Sequence, residues 1–285
     1  MDGFRCGIVL PFFDAADVVE AAVAAEAAGW AGIFLAETVW GVDAWVSLAA
    51  AAVRTTTIRL GTMLTPAARI KPWDLASRVA TVDRLSGGRA QLAVGLGALH
   101  PGWLAFERPT SRHERAELLD ECLTVYDGLM QGQPFAYDGA HYIVRQCYFY
   151  PPDPPVQRPR VPVWVVGATP GSPSMARAAR WDGLIPNVVT EDGARGPEGP
   201  GELAILVAAA RALRADAGLP WAGYDVIVEG VTDGADPAAA GIVAEYRAAG
   251  ATWWIESDWS ATPDADGVAK IHARIAAGPP VKPAN

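Results

Sequence analysis

Glu37-Thr38 and His100 are the residues of this sequence best placed to do chemistry. Glu37 directly follows the apolar run Gly32–Ala36. A carboxylate there can act as acid or base, or hold the edge of a cofactor ring by hydrogen bonds. The plainer alternative is a rim carboxylate paired with an arginine. His100 stands three residues beyond Gly95-Leu96-Gly97, and of the four histidines it alone falls at an expected strand end. Imidazole titrates near neutrality, which suits proton transfer, although packing beside Trp103 is the structural reading of the same residue. His113, His141 and His272 read as helix-cap, hairpin and helix-surface residues, and no pair of histidines has metal-ligand spacing.

Gly95 and Gly97 resemble the start of a dinucleotide-binding turn, but the third glycine would fall at His100. Pro101 follows, and it cannot simply open a helix that holds a pyrophosphate. The two glycines read better as a strand end where a ring or substrate approaches the backbone. A phosphate cradle is expected further on, at Gly167-Ala168-Thr169-Pro170-Gly171-Ser172, between an apolar run and a helix. Exposed amides, a helix N-terminus and the hydroxyls of Ser172 and Ser174 suit a phosphate, and a simple capping loop is the alternative. Thr62-Met63-Leu64-Thr65 offers small and apolar groups to the flat face of an aromatic ring, or is an ordinary strand end. Arg69 and Lys71 could meet an anionic tail, or stay solvated. Asn187 and the stretch Glu256 to Trp259 complete the candidates. Trp253 and Trp254 must point to opposite faces of a strand, so only one can face an interior. No G-x-S-x-G elbow is present, which argues against an esterase.

These positions share one property: each ends a short apolar run that precedes a helical pattern. Phe4–Leu10, Gly32–Ala36, Ile58–Thr62, Arg89–Val94, Val161–Val166, Gly183–Ile185, Tyr224–Glu229 and Thr252–Glu256 read as strands buried on both faces. Helical segments separate them, opened by Asp14 and Asp43 as N-caps and by Pro72, Ser174, Gly201, Pro237 and Asp264. Eight βα units in roughly 250–290 residues predict an α/β fold, a (β/α)8 TIM barrel, whose site gathers at the C-terminal ends of the strands. The connection after strand four is enlarged, an insertion at about residues 98–160 within one domain spanning residues 1–285. It holds a capping box at Ser111 and Glu114, a helix lined by Leu118, Leu119, Cys122, Val125, Tyr126, Leu129 and Met130, and a hairpin at Phe135–Val144. The polar, glycine-rich stretch Thr190–Pro200 is expected to be a lid or an unstructured loop.

The net charge of −9 argues against nucleic acid and anionic membranes as partners. Three isolated cysteines, Cys6, Cys122 and Cys147, indicate neither a disulfide framework nor a zinc site. No signal peptide or membrane-spanning run is read, so a cytoplasmic location is expected.

The sequence resembles the bacterial-luciferase-like monooxygenase superfamily over nearly its whole length. The resemblance rests on AAEAAGWAGIFLAE (24–37), the long block TTTIRLGTMLTPAARIKPWDLASRVATVDRLSGGRAQLAVGLG (55–97), YDGAHYIV (137–144), PPVQRPRVPVWVVGATPG (154–171), MARAARWDGLIPN (175–187) and GATWWIE (250–256). It implies a flavin ring on a bulge after strand three, often through a non-proline cis peptide, here at Thr62, Met63 and Leu64. It implies a phosphate held after strand five, at Gly167, Ala168 and nearby hydroxyls. The family's acidic residue and histidine after strand two appear here as Glu37 and Thr38, so histidine base chemistry is not carried over. Ala98 stands where the branch that oxidises sugar phosphates has a glutamate, so neither is that activity. The function implied is a two-component monooxygenase that takes reduced FMN from a partner reductase and acts with oxygen on a small organic substrate. Glu37, Thr38 and His100 would then position flavin and substrate. The alternatives are hydride transfer with the deazaflavin coenzyme F420, and non-catalytic flavin binding. A homodimer is expected from the same resemblance.

Overall fold

A computed structural model describes residues 3–97, 101–146, 154–191, 193–234 and 236–281. Eight parallel strands close on themselves: β1 (Arg5–Leu10), β2 (Gly32–Leu35), β3 (Arg59–Thr62), β4 (Ala90–Gly95), β5 (Val163–Ala168), β6 (Gly183–Thr190), β7 (Asp225–Gly230) and β8 (Trp253–Glu256). Each pairs with the next, and β8 returns to β1 with Cys6 opposite Trp254. The fold is the (β/α)8 TIM barrel that the alternation predicts.

Side-chain alternation along these strands builds two separate cores. Outward residues such as Val226, Val228 and Trp254 meet the helices. Inward residues Val9, Phe34, Met63, Ala93, Trp164, Ile185, Ile227, Trp253 and Ile255 fill the barrel. Trp253 is therefore the inward tryptophan. Its ring lies 5.1 Å from Trp164 and 6.1 Å from Phe34, and forms an aromatic plug rather than a substrate wall. Gly7 makes room for the plug, since a Cβ there would lie 2.8 Å from both Phe34 and Ile255.

The helices start where side chains can receive their free amides. Asp14 and Asp43 cap α1 (Ala15–Ala27) and α2 (Ala44–Ala52), and α3 (Pro72–Ser86) opens on its proline and closes at Gly87, φ 68°. Ser111 caps the long α4 (Arg112–Gln131), while the Glu114 carboxylate takes Arg108 at 2.6 Å. Ser172 caps α5 (Pro173–Ala178), so this helix starts one residue earlier than predicted. α6 (Pro200–Asp216), α7 (Ala239–Ala248) and α8 (Ala265–Ala276) complete the outer ring.

The enlarged connection between β4 and β5 begins with a four-residue helix, Pro101–Leu104. A helix does open at Pro101, because proline is tolerated in a first turn, but it is only one turn long. α4 follows. The hairpin pairs Tyr137 with Val144 and Asp138 with Ile143 around a four-residue turn. Glu121 of α4 fixes that turn by accepting the amides of Ala140, His141 and Tyr142 at 2.7, 3.0 and 2.9 Å. Thr190–Pro200 is not a structureless loop: β6 runs to Thr190, and Gly193–Arg195 turns back antiparallel against it. Arg195 then grips Glu202 at 2.8 and 3.0 Å.

Glu26 of α1 ties that helix to the entry of β3, accepting the amides of Thr57, Thr56 and Ile58 at 2.5, 2.8 and 2.9 Å. Burial alone would raise its pKa, but the amides of Thr57, Ile58 and Thr56 prevail and hold it at about 2. A depressed carboxylate stabilises the fold above its ordinary pKa of 4.5 and loses that contribution as the pH falls towards 2. Glu26→Gln should therefore lower the melting temperature at pH 7. Thermal unfolding followed by circular dichroism should show the gap from the parent protein narrowing below pH 4.5.

Candidate active site

A cavity of about 840 Å³ opens at the C-terminal ends of the strands. Its floor is a bulge. Gly61 pairs with Gln91, but Thr65 pairs with Val94, so one extra residue is accommodated between β3 and the short strand Thr65–Pro66. The Met63–Leu64 peptide within this bulge is cis. Met63, Leu64, Gly95 and Val166 together present an apolar shelf to the cavity. A Cβ on Gly95 would come within 3.1 Å of Leu64 and 3.2 Å of Val166. Gly97, φ +74°, has its open side filled by the Trp103 ring rather than left free for a ligand.

The bulge also holds the first carboxylate. Thr65 Oγ1 donates to Glu37 Oε2 at 2.5 Å, and the Thr62 and Thr65 hydroxyls lie 2.8 Å apart. Arg78 Nη1 stands 4.0 Å from Glu37 Oε1. Burial pushes the Glu37 pKa upward, and Thr65 and Arg78 oppose the shift only in part. A carboxyl whose proton affinity is raised by burial at a cavity wall is suited to acid–base work. Thr38 is exposed and lies off the cavity wall, and Thr62 is buried beneath it. His100 and Ala98 lie outside the described residues.

The loop after β5 is partly spent on itself. The Ala168 amide donates to Ser174 Oγ at 3.1 Å, Ser172 Oγ bonds the Ala168 carbonyl, and Ser172 also accepts the Met175 amide at 3.1 Å. Thr169, φ 57°, donates its amide to the Asn187 carbonyl at 3.2 Å. Ala168, Ser174 and Asn187 reach the cavity, whereas Gly167, Thr169 and Ser172 are not part of its lining.

Four arginines line the same end: Arg69, Arg112, Arg115 and Arg177. Arg177 is fixed by Asp120 at 2.6 and 2.7 Å. Arg69 stacks on Trp103, 4.9 Å from its centroid, and reaches Glu107 at 3.3 Å. Arg115 donates to the Thr110 carbonyl at 2.7 Å. The Nε–H groups of Arg69 and Arg115 are buried without a hydrogen-bond partner among the described residues. Unpaired buried donors of this kind are uncommon in folded proteins. Sequence reasoning picked out Arg69 but missed the other three, which come from helices and carry no strand-end signal.

Glu229, at the end of β7, joins Glu37 and Glu191 as a carboxylate in the wall, and it was also missed. Its signal was alternation: Ile227 faces inward, so Glu229 does too. By the same alternation Glu256 follows inward Ile255 and turns away from the cavity. There it meets Arg274 at 3.1 Å, the Thr232 hydroxyl at 2.8 Å, the Trp254 indole at 3.1 Å and the Thr232 amide. Among the described residues, no group of three or more His, Cys, Asp or Glu side chains could hold a metal ion. No helix among them is long and apolar enough to cross a membrane.

The luciferase-like monooxygenase family pattern matches residues 4–268. The chain belongs to that family. The family is one of oxidoreductases, and the proteins this chain is similar to include F420-dependent enzymes and monooxygenases. The chain is 31% identical over 170 residues to an F420-dependent glucose-6-phosphate dehydrogenase of Microbacterium testaceum, covering 56% of this chain and 49% of that protein. The luciferase-like chain spans about half the length of the curated relatives it matches. Its fold is that of the coenzyme F420 dependent tetrahydromethanopterin reductase of Methanopyrus kandleri, with TM-score 0.74, 17% identity and 97% of each chain covered. It is equally that of a monooxygenase from Streptomyces bottropensis, with TM-score 0.70, 20% identity and 96% and 97% covered.

Proposed function

We propose that this luciferase-like chain binds the deazaflavin coenzyme F420 and transfers a hydride between it and a small organic substrate. The cationic end of the cavity carries the reading. FMN ends in a single phosphate, whereas F420 continues into a longer anionic tail, and the four arginines that line the cavity suit the longer tail. The F420-dependent relative at 31% identity supports the same choice.

The residues present fit such a cofactor. Met63, Leu64, Gly95 and Val166 would carry the flat ring and keep water from its face. Ala168 and Ser174 would meet the phosphate, and Arg69, Arg112 and Arg115 the tail, with Arg177 held in place by Asp120. When bound, the cofactor supplies or accepts the hydride. Glu37 takes or returns, at its carboxylate, the proton that accompanies the hydride, while the Thr65 hydroxyl fixes Oε2. Ala98 in place of the sugar-phosphate glutamate points to a substrate other than a sugar phosphate.

A second reading keeps the site and replaces the cofactor with reduced FMN delivered by a partner reductase for reaction with oxygen. The apolar shelf of Leu64 and Val166 is equally suited to a flavin ring.

The two readings separate at the arginines. Arg69→Met and Arg115→Met should each weaken F420 binding about tenfold, the loss expected for a charged hydrogen bond of roughly 1.5 kcal/mol. FMN binding should change several-fold less. Fluorescence titration measures both, and equal losses for the two cofactors would reject the deazaflavin assignment.

A further inference from the structure

The cavity is electrically divided. Its lining arginines all come from the arc that runs from Arg69 after β3, through α4, to Arg177 on α5. The rest of the wall carries Glu37, Glu191, Glu229 and Trp259. Glu37 already has a donor in Thr65 and a cation, Arg78, at 4.0 Å. Glu229 receives the Trp259 indole N–H at 2.8 Å and the Ser257 hydroxyl, both neutral donors. Among the described residues it makes no ion pair. Trp259 is itself half exposed, at 52%, and among the described residues no cation lies over its ring. Trp103, by contrast, already carries Arg69.

We propose that the Glu229–Trp259 corner recognises an ammonium group on the substrate. The inference rests on reading this cavity as the active site. The unpaired carboxylate accepts N–H bonds from a cation, and the neighbouring indole face attracts the same charge. The apolar body of the substrate then lies towards Val39 and the shelf. A phosphate or carboxylate at this corner would face like charge, so the substrate class is an amine with an apolar body.

Calorimetry on the cofactor-loaded protein at pH 7 tests this with three probes of one shape: benzylammonium, benzyl alcohol and benzoate. Benzylammonium should bind about tenfold or more tighter than the alcohol, and benzoate weakest, as expected for a charge-assisted hydrogen bond. Glu229→Gln, which keeps shape and neutralises charge, should erase the preference without shifting the melting temperature or the cofactor Kd. Trp259→Leu should reduce ammonium binding several-fold and leave the alcohol unchanged. Equal binding of the three probes, absence of benzylammonium binding, or a preference that survives Glu229→Gln overturns the proposal. Ammonium preference in a protein that binds no cofactor would instead overturn the oxidoreductase reading and leave this one standing.

Discussion

Gly95→Val is expected to cut cofactor affinity roughly 5- to 150-fold, equivalent to the ~1–3 kcal/mol typical of overpacking. The shelf leaves no room at this point. Even the Cβ would press on Leu64 at 3.1 Å and on Val166 at 3.2 Å, and the branched methyls would rise into the space above the bulge. Gly95 ends β4, so the rest of the strand keeps its pairing with β5 through Leu92, Ala93 and Val94. Circular dichroism should therefore show an intact fold while fluorescence titration shows the loss. Retained affinity would mean that the ring does not lie on Leu64 and Gly95.

Glu256→Ala should have the largest effect on stability, a loss of about 3–5 kcal/mol. The carboxylate is 3% exposed and answers four partners: Arg274, the hydroxyl and amide of Thr232, and the Trp254 indole. Removing it leaves the Arg274 guanidinium without its charge partner between α8 and the barrel wall. Urea unfolding measures the change. Glu37→Gln and Glu229→Gln, whose side chains face the cavity, should each cost far less stability than Glu256→Ala. A small effect at Glu256 would contradict its assignment to the frame rather than the site.

The contrast between these glutamates shows what was legible in the sequence. Strand ends were: apolar runs followed by helical patterns located all eight strands to within a few residues, except that β6 continues to Thr190. The alternation of side chains was also legible, and it separates Glu229 from Glu256. Ile227 and Ile255 both face the barrel, and one glutamate lies two residues after its isoleucine while the other lies one after. Treating every polar strand end alike obscured this. The arginine arc was not legible, because the rotation of α4 and α5 about their axes is set by packing. Leu119 and Cys122 seat α4, and that choice turns Arg115 towards the cavity. Nor did the sequence reveal that Gly97 serves Trp103, since a ring from six positions away in the chain fills the space that a ligand was expected to use.

The most direct measurement of the central claim is a fluorescence titration of the purified protein with F420 and, separately, with FMN. Saturable micromolar binding of F420, at least about tenfold tighter than that of FMN, is the predicted result. Preference for FMN, or binding of neither, would contradict it.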